Sequence, residues 1–328
     1  MLITHSISRR WISLVSLMIP LLVTLPASSA ETPNTLSGDF FNDYHDPVHE
    51  QERKAIEELL TTIETQWNNH NLEAVTNYYA EDYINNDGLD KKSVLALTQD
   101  FWKTYPDAKS TSLAREIRIE GPFVTVESRD LATGTTAKEM PGIGTKGELQ
   151  SVSEGQLYLK RQGSTWKIVG DRIDYEKVRV AFGLAKDLNT TFAAPEQVQS
   201  GHQYSAKLVL NLPEGLSAVG SITSQSLEYP QSQPSDVWRP LDGSALERVM
   251  YANNDNHNEL LMATIGVTNA ARNSLMGIAF FTRRLNVIPN MTEGKTEKTN
   301  GLSATNDSKS PPPSSLPEPE APQNHIRL

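Results

Sequence analysis

The spacing of apolar residues changes once along this chain, near Pro106, and that change limits the folds it can adopt. Before Pro106 apolar residues recur at the spacing of one face of an α-helix. The clearest such group is Ile56, Leu59, Leu60, Ile63 and Trp67. After Pro106 apolar and polar residues alternate, which is typical of β-strands. Helices followed by a run of strands predict an α+β domain rather than a doubly wound one.

The first part of the chain, residues 46–182, is predicted to contain three helices followed by an antiparallel sheet. The first helix begins at Pro47, because proline is favoured at the first helical position, and it ends before Asn69. A second short helix precedes the turn signal Asp87-Gly88, and a third ends before Pro106. Strands are expected at residues 117–119, 123–127, 149–161 and 166–173, and a glycine-containing loop at residues 134–147.

The second part, residues 196–289, follows a linker at residues 183–195 and is predicted to be an all-β domain. Short alternating runs separated by turn residues are typical of an immunoglobulin-like β-sandwich. The chain contains no cysteine, so this prediction rests on the pattern of strands alone.

Both ends of the chain differ in composition from these two domains. Arg9 and Arg10, an apolar run at residues 11–25 and small residues up to Ala30 predict a signal peptide at residues 1–30. We therefore expect export to the periplasm or the medium. Residues 31–45 are predicted to form a polar leader. Residues 290–328 are rich in Pro, Ser and charged residues, so they are predicted to be a disordered tail.

Composition argues against several classes of function. Without cysteine the chain can form neither a disulfide, a thiolate zinc site nor a cysteine-linked lipid anchor. Its formal net charge of −10 argues against binding nucleic acid. After the predicted signal peptide no apolar run approaches the length of a membrane span, so no membrane anchor is predicted. No complete set of metal ligands and no cofactor-binding motif is evident, so neither a metal nor a cofactor is predicted.

Four segments of the first domain resemble the nuclear transport factor two-like, or SnoaL-like, superfamily. They are residues 67–75, 79–83, 87–88 and 163–169. The resemblance covers residues 46–182 and implies a cone of three helices packed on a strongly curved antiparallel sheet, the cystatin-like arrangement. It also implies a pocket inside the cone and frequent homodimers. Members include polyketide cyclases, ketosteroid isomerases, dehydratases and proteins that only bind or assemble, so fold alone does not give the function.

The isomerase members of that superfamily suggest one catalytic residue. An ungapped match places Asp87 at the position of their general-base aspartate, where a desolvated carboxylate could remove a proton next to a carbonyl. The same match places Ile63 where they carry an oxyanion-stabilising tyrosine, and isoleucine cannot donate a hydrogen bond. The alternative role for Asp87 is structural, because Asp before Gly is a common turn pair.

Further candidates lie on the second and third helices and on the strands. Tyr79, Tyr83, Trp102 and Tyr158 could line a pocket, or their rings could simply fill the core. Asp130, Asp171 and Asp174 are candidate acids or bases if their strands turn them inward. Alternatively, these carboxylates face water or pair with Arg129 and Arg172.

The sequence therefore supports two hypotheses. The first is an exported binding or assembly protein whose cone holds a small apolar ligand or forms a homodimer, and whose sandwich docks a partner. The second is an acid/base enzyme of the cyclase, isomerase or dehydratase type, with Asp87 or a strand aspartate such as Asp130 as the base.

Overall fold

The computed structural model describes residues 47–228, 237–241 and 245–290. The predicted signal peptide, the polar leader and the tail beyond residue 290 lie outside the described residues. Among the helices that are described, none has both the length and the apolar composition needed to cross a membrane.

Three helices begin the described chain, as the sequence predicts. They are α1 (Pro47–Asn68), α2 (Leu72–Tyr78) and α3 (Lys91–Thr104). On the apolar face of α1, Ile56, Leu60, Ile63 and Trp67 are buried in a core shared with the other helices and the sheet, and Leu59 packs against it. His70 ends the first helical stretch by adopting a φ of 56°, a conformation in which a helix cannot continue.

Side chains cap the two shorter helices. Asn71 accepts a hydrogen bond from the backbone N–H of Ala74 at the start of α2. Asp90 accepts one from the backbone N–H of Ser93 at the start of α3, at 2.8 Å. Each cap satisfies an N–H group that has no partner within its own helix.

Four long strands follow the helices and form an antiparallel meander. They are β1 (Lys109–Glu120), β2 (Phe123–Glu139), β3 (Lys146–Gln162) and β4 (Thr165–Gly183). The prediction of a loop at residues 134–147 is wrong for much of that range, because β2 continues to Glu139 and β3 begins at Lys146. Gly134 and Thr135, for example, pair with residues of β3. Gly134 serves close packing instead, since a Cβ there would lie 3.3 Å from the Tyr105 Cβ.

The described residues after β4 are all β apart from one short turn of 3-10 helix at Leu184–Lys186. Its strands are β5 (Thr190–Ala193), β6 (Gln197–Gln199), β7 (Gln203–Leu210), β8 (Leu216–Ser226), β9 (Arg239–Pro240), β10 (Ala245–Tyr251), β11 (Glu259–Asn269) and β12 (Leu275–Ile288). The 3-10 turn and β5 lie in the segment that was predicted to be a linker.

One large sheet runs through both parts of the described chain. Its strand order is β1-β2-β3-β4-β12-β11-β8-β9, with β6 pairing in parallel to β12. A second sheet of order β10-β7-β5 completes the C-terminal part. The predicted α+β class is confirmed, and the all-β part fits a sandwich. The two parts are joined by hydrogen-bonded pairing of β4 with β12, not only by the chain between them.

Successive residues of β12 belong to two different cores. Ile278 and Phe280 pack against the core that contains the helices. Ala279 and Phe281 belong to the core between the two sheets. This follows from the alternation of side chains along a strand, and it makes β12 part of both hydrophobic cores.

A buried ion pair joins the loop between α2 and α3 to β12. The Arg284 guanidinium donates to both carboxylate oxygens of Asp87, at 2.8 and 2.6 Å. The Arg284 side chain is 1% exposed and that of Asp87 is 11% exposed. Backbone N–H groups of Ala80 and Asn86 donate to carbonyls of β4, so the Asp87 loop is itself fixed to the sheet.

Replacing Asp87 with alanine should destabilise the fold strongly. The change leaves the buried Arg284 charge without its carboxylate, and losing one partner of a buried pair costs about 3 kcal/mol or more of unfolding free energy. Urea unfolding followed by circular dichroism measures the loss.

The matched control is Asp174→Ala, which removes a carboxylate from a solvent-exposed pair with Arg172. An exposed pair of this kind contributes at most about 1 kcal/mol. Equal, small losses in the two variants would contradict a stabilising role for the Asp87–Arg284 pair.

Candidate functional site

A row of buried polar residues crosses the face of the sheet that packs against the helices. Direct cross-strand pairs connect its four members, Ser112, Asp130, Ser153 and Glu176, on β1, β2, β3 and β4. All four are buried. We call these residues the polar row. Buried polar groups require hydrogen-bond partners, so a continuous row of them inside an apolar core marks a candidate site.

Arg115 and Glu64 lie within ion-pair distance of each other beside the polar row. The Arg115 Nη2 atom lies 3.3 Å from the Glu64 Oε2 atom, and their side chains are 5% and 0% exposed. Glu64 also accepts a hydrogen bond from Asn68, which lies one turn further along α1. Arg115 points inward because a β-bulge between Ser112 and Ala114 shifts the alternation of β1 by one residue.

Several polar atoms in this region have no hydrogen-bond partner within the described protein. They are Nε and Nη1 of Arg115, Oδ1 of Asp130 and Oγ of Ser151. The other carboxylate oxygen of Asp130 accepts a hydrogen bond from Ser128, at 2.8 Å. Each buried group left without a partner costs about 1–3 kcal/mol. The region therefore offers both donors and acceptors to a bound molecule.

Burial raises the pKa of both carboxyl groups of the site above their ordinary values. Burial raises the pKa of Glu64 to about 8; Arg115 opposes the rise and Asp130 adds to it. Burial also raises the pKa of Asp130 to about 6, against the lowering effect of its serine hydrogen bonds and of Arg115. At neutral pH Glu64 is thus mainly protonated and Asp130 mainly ionised.

Three of the candidates from the sequence meet at a second position. Tyr83 donates a hydrogen bond to Asp171, and the rings of Tyr79 and Tyr83 touch edge to face with centroids 4.9 Å apart. Burial raises the pKa of Asp171 to about 6, and the charge of Asp87 adds to the rise. Asp87 is held by Arg284, so both of its carboxylate oxygens are engaged. The proposed role of Asp87 as a base stays a prediction.

The remaining candidates have other contacts. The Trp102 ring stacks on His70 with centroids 4.9 Å apart. The Tyr158 hydroxyl donates to Gln156, at 2.8 Å. Asp174 is exposed and paired with Arg172. The only one of the predicted acids and bases that belongs to the polar row is Asp130.

Sequence reasoning missed Glu64 and Arg115. Glu64 follows Leu60 by four residues and precedes Trp67 by three, which places it on the buried face of α1. That spacing was a usable signal. No sequence pattern indicates that Arg115 points inward, because its orientation depends on the bulge in β1.

An open groove of about 540 Å³ runs across the middle of the four strands. Arg115 and Ser128 line it together with Gly155 and Gln156. The groove is also lined by the exposed Arg129 and Glu154, which alternate with the inward-facing Asp130 and Ser153, so it lies mainly on the face of the sheet turned away from the helices. Among the described residues, no group of three or more His, Asp or Glu side chains is placed to hold a metal ion.

Comparison with known proteins gives likeness only at the level of structure. No protein-family model and no curated protein matches the chain. Bd1075 of Bdellovibrio bacteriovorus is 16% identical over 39% of this chain, with a TM-score of 0.32, and the match spans 42% of that protein. A proposed scytalone dehydratase of Novosphingobium aromaticivorans is 16% identical, covering 39% of this chain and 85% of its own, with a TM-score of 0.33.

A third similar structure is the hexachlorocyclohexane dehydrochlorinase LinA type 3 of Novosphingobium barchaimii. It is 13% identical, covers 39% of this chain and 88% of its own, and has a TM-score of 0.32. At these identities and TM-scores the likenesses carry no argument about activity.

The raised pKa of Glu64 gives a testable dependence of stability on pH. The folded state binds this proton more tightly than the unfolded state, in which the pKa lies near 4.5. The stability that depends on the proton is therefore complete below pH 4.5 and is lost as the pH rises toward 8. Relative to Glu64→Gln, the wild-type protein should lose unfolding free energy across this range.

Urea unfolding at a series of pH values measures this difference. Glu58→Gln, an exposed position on the same helix, is the control and should follow the wild-type profile. Parallel profiles for wild type and Glu64→Gln would show that burial does not hold the Glu64 proton.

Proposed function

We propose that residues 47–183 bind a small molecule at the polar row, through Arg115 and Asp130. One observation carries this proposal. The Arg115 side chain is 5% exposed, yet two of its N–H-bearing nitrogens have no hydrogen-bond partner in the described protein. A guanidinium is a strong multiple donor, and burying it without acceptors is costly. A ligand that supplies acceptor oxygens would recover that cost.

The charge balance of the site indicates the chemistry of the ligand. Glu64 is the only ion-pair partner of Arg115 among the described residues, and its raised pKa reduces its negative charge at neutral pH. Asp130 then compensates the Arg115 charge without forming an ion pair, and the Arg115 Nε and Nη1 atoms still have no acceptor in the described protein, which favours a carboxylate or a strongly polarised carbonyl. The Oδ1 atom of Asp130 adds an acceptor, so a hydroxyl or amide donor on the ligand would fit beside it.

The polar row implies that the ligand predicted from the sequence also carries a hydrogen-bonding group. The pattern of aromatic residues predicts a small, mostly apolar ligand, and the interior around the row is largely apolar. A ligand with an apolar body and a hydrogen-bonding group at one end satisfies both features.

Substitution of Arg115 tests the binding proposal. A panel of small carboxylates and carbonyl compounds is screened by thermal shift, and the compounds that stabilise the wild-type protein are measured by calorimetry. Arg115→Met keeps the length of the side chain and removes its donors. A hydrogen bond to a charged group contributes about 1.5–3 kcal/mol. Losing one should weaken ligand binding about 10- to 100-fold.

The matched control is Arg118→Met, an exposed arginine on the same strand whose partner is Glu127. It should bind like the wild type. Circular dichroism confirms that both variants fold. If no compound of the panel binds, or if Arg115→Met binds as tightly as Arg118→Met, the proposal is wrong.

A second candidate function is acid/base catalysis at the same position. The observation in its favour is that the two carboxyl groups near Arg115 have pKa values of about 8 and about 6, so one is an acid and the other a base at neutral pH. Asp130 would remove a proton next to a carbonyl, Arg115 would stabilise the resulting enolate oxygen, and Glu64 would supply a proton. Asp87 is less well supported as the base because Arg284 engages both of its oxygens.

Exchange of carbon-bound protons in heavy water tests the catalytic candidate separately. For each compound that binds, exchange next to its carbonyl is followed by proton NMR. Asp130→Asn should slow the exchange at least about 100-fold, the usual contribution of a general base. Binding without any exchange by the wild-type protein would exclude the enzyme and leave the binding function intact.

A further inference from the structure

Two cations face each other on the side of the large sheet that is turned away from the helices. Arg283 of β12 and Lys177 of β4 are direct cross-strand partners. Arg179 lies two residues from Lys177 on β4, so it points to the same side. Like charges placed directly opposite each other destabilise a sheet. In a chain with a net charge of −10, such a cluster is unexpected.

The described residues compensate these charges only in part. Within the described ranges Lys177 takes part in no hydrogen bond or ion pair, and the charges that act on it are those of Arg283 and Arg179. The Arg283 side chain is 10% exposed, and its nearest carboxylate is Glu196, which lies 4.0 Å away and is 65% exposed. Arg283 donates to the Phe192 carbonyl through Nη1, while its Nε atom is buried without a hydrogen-bond partner in the described protein.

Neighbouring groups position these cations. Arg179 is occupied, because it donates to the carbonyls of Ala185 and Lys186. The Arg283 guanidinium lies over the Tyr175 ring, 5.7 Å from its centroid, which fixes the orientation of the cation. Burial and the charges of Arg283 and Arg179 lower the pKa of Lys177. A bound anion would reverse that lowering and relieve the repulsion.

We propose that Lys177 and Arg283 bind a small oxyanion, a phosphate or carboxylate group, on the face of the shared sheet opposite the polar row. Arg179 contributes long-range attraction. The position favours a small ion, because the Arg283 side chain is nearly buried and contacts Phe192 and Glu196. Since the Arg115 position faces the helices, the two sites are independent.

The register of the sheet offers an internal substitute for the anion. Val152 of β3 is the other cross-strand partner of Lys177, so it points to the same side of the sheet. Val152→Glu should place a carboxylate beside Lys177 and neutralise it. Val152→Gln has the same shape without the charge and is the matched control. Lys177→Gln removes the binding group itself, and Lys207→Gln removes a lysine that lies opposite Glu247 in the other sheet.

The experiment measures thermal unfolding and calorimetric binding of inorganic phosphate, with chloride at equal ionic strength as the reference. We expect phosphate to bind and stabilise the wild type, Val152→Gln and Lys207→Gln. Binding should weaken about tenfold or more in Lys177→Gln and Val152→Glu. Without phosphate, Val152→Glu should melt at a higher temperature than Val152→Gln.

Phosphate also stabilises proteins without binding, by exclusion from their surfaces. An equal effect of phosphate on all five proteins, with no calorimetric binding, would overturn the proposal. So would a Val152→Glu variant that binds phosphate as tightly as Val152→Gln.

A second arm separates a free oxyanion from a lipid headgroup. The protein is sedimented with phosphatidylcholine vesicles that contain phosphatidylglycerol, with and without phosphate. Phosphate binding without sedimentation identifies a free ion. Sedimentation that phosphate displaces and Lys177→Gln abolishes identifies a headgroup. Sedimentation that Lys177→Gln leaves unchanged, in a protein that does not bind phosphate, contradicts the proposed site.

Discussion

The pairing of β4 with β12 is the constraint on which the rest of the described structure depends. It continues the sheet of the helical part into the all-β part, so the two share a backbone hydrogen-bond network. Because side chains alternate along β12, the consecutive residues Arg283 and Arg284 point to opposite faces. Arg284 reaches Asp87 on the helix side, and Arg283 meets Lys177 on the other. The strand β12 therefore supplies both a buried ion pair that joins the two parts and a cation that is only partly compensated.

The parts of the fold that depend on local patterns could be predicted from the sequence. The helices follow from apolar periodicity, and the pairing of β3 with β4 follows from alternation around a short turn. The extension of β2 past Gly134 could not be predicted, because glycine is usually a sign of a loop and here it serves packing against Tyr105. The Asp87–Arg284 pair joins residues 197 positions apart, and no local pattern indicates it.

In the candidate site too, some residues could be predicted from local sequence patterns and others could not. Asp130 was identified because it lies on a strand expected to face inward. Glu64 was missed although its helical spacing placed it on the buried face of α1, and Arg115 was hidden by the bulge that turns it inward. The resemblance instead drew attention to Asp87, which the structure places in an ion pair between the two parts of the chain. The main argument for a binding site is the set of buried polar atoms that lack hydrogen-bond partners, and the sequence does not reveal these atoms.

Differential scanning calorimetry of the protein tests the central claim most directly, since a shared sheet should make the two parts unfold together. The expected result is a single transition whose calorimetric and van't Hoff enthalpies agree. Two separate transitions, or a calorimetric enthalpy well above the van't Hoff value, would show that the helical part and the all-β part are independent. Either outcome would contradict the role assigned to the pairing of β4 with β12.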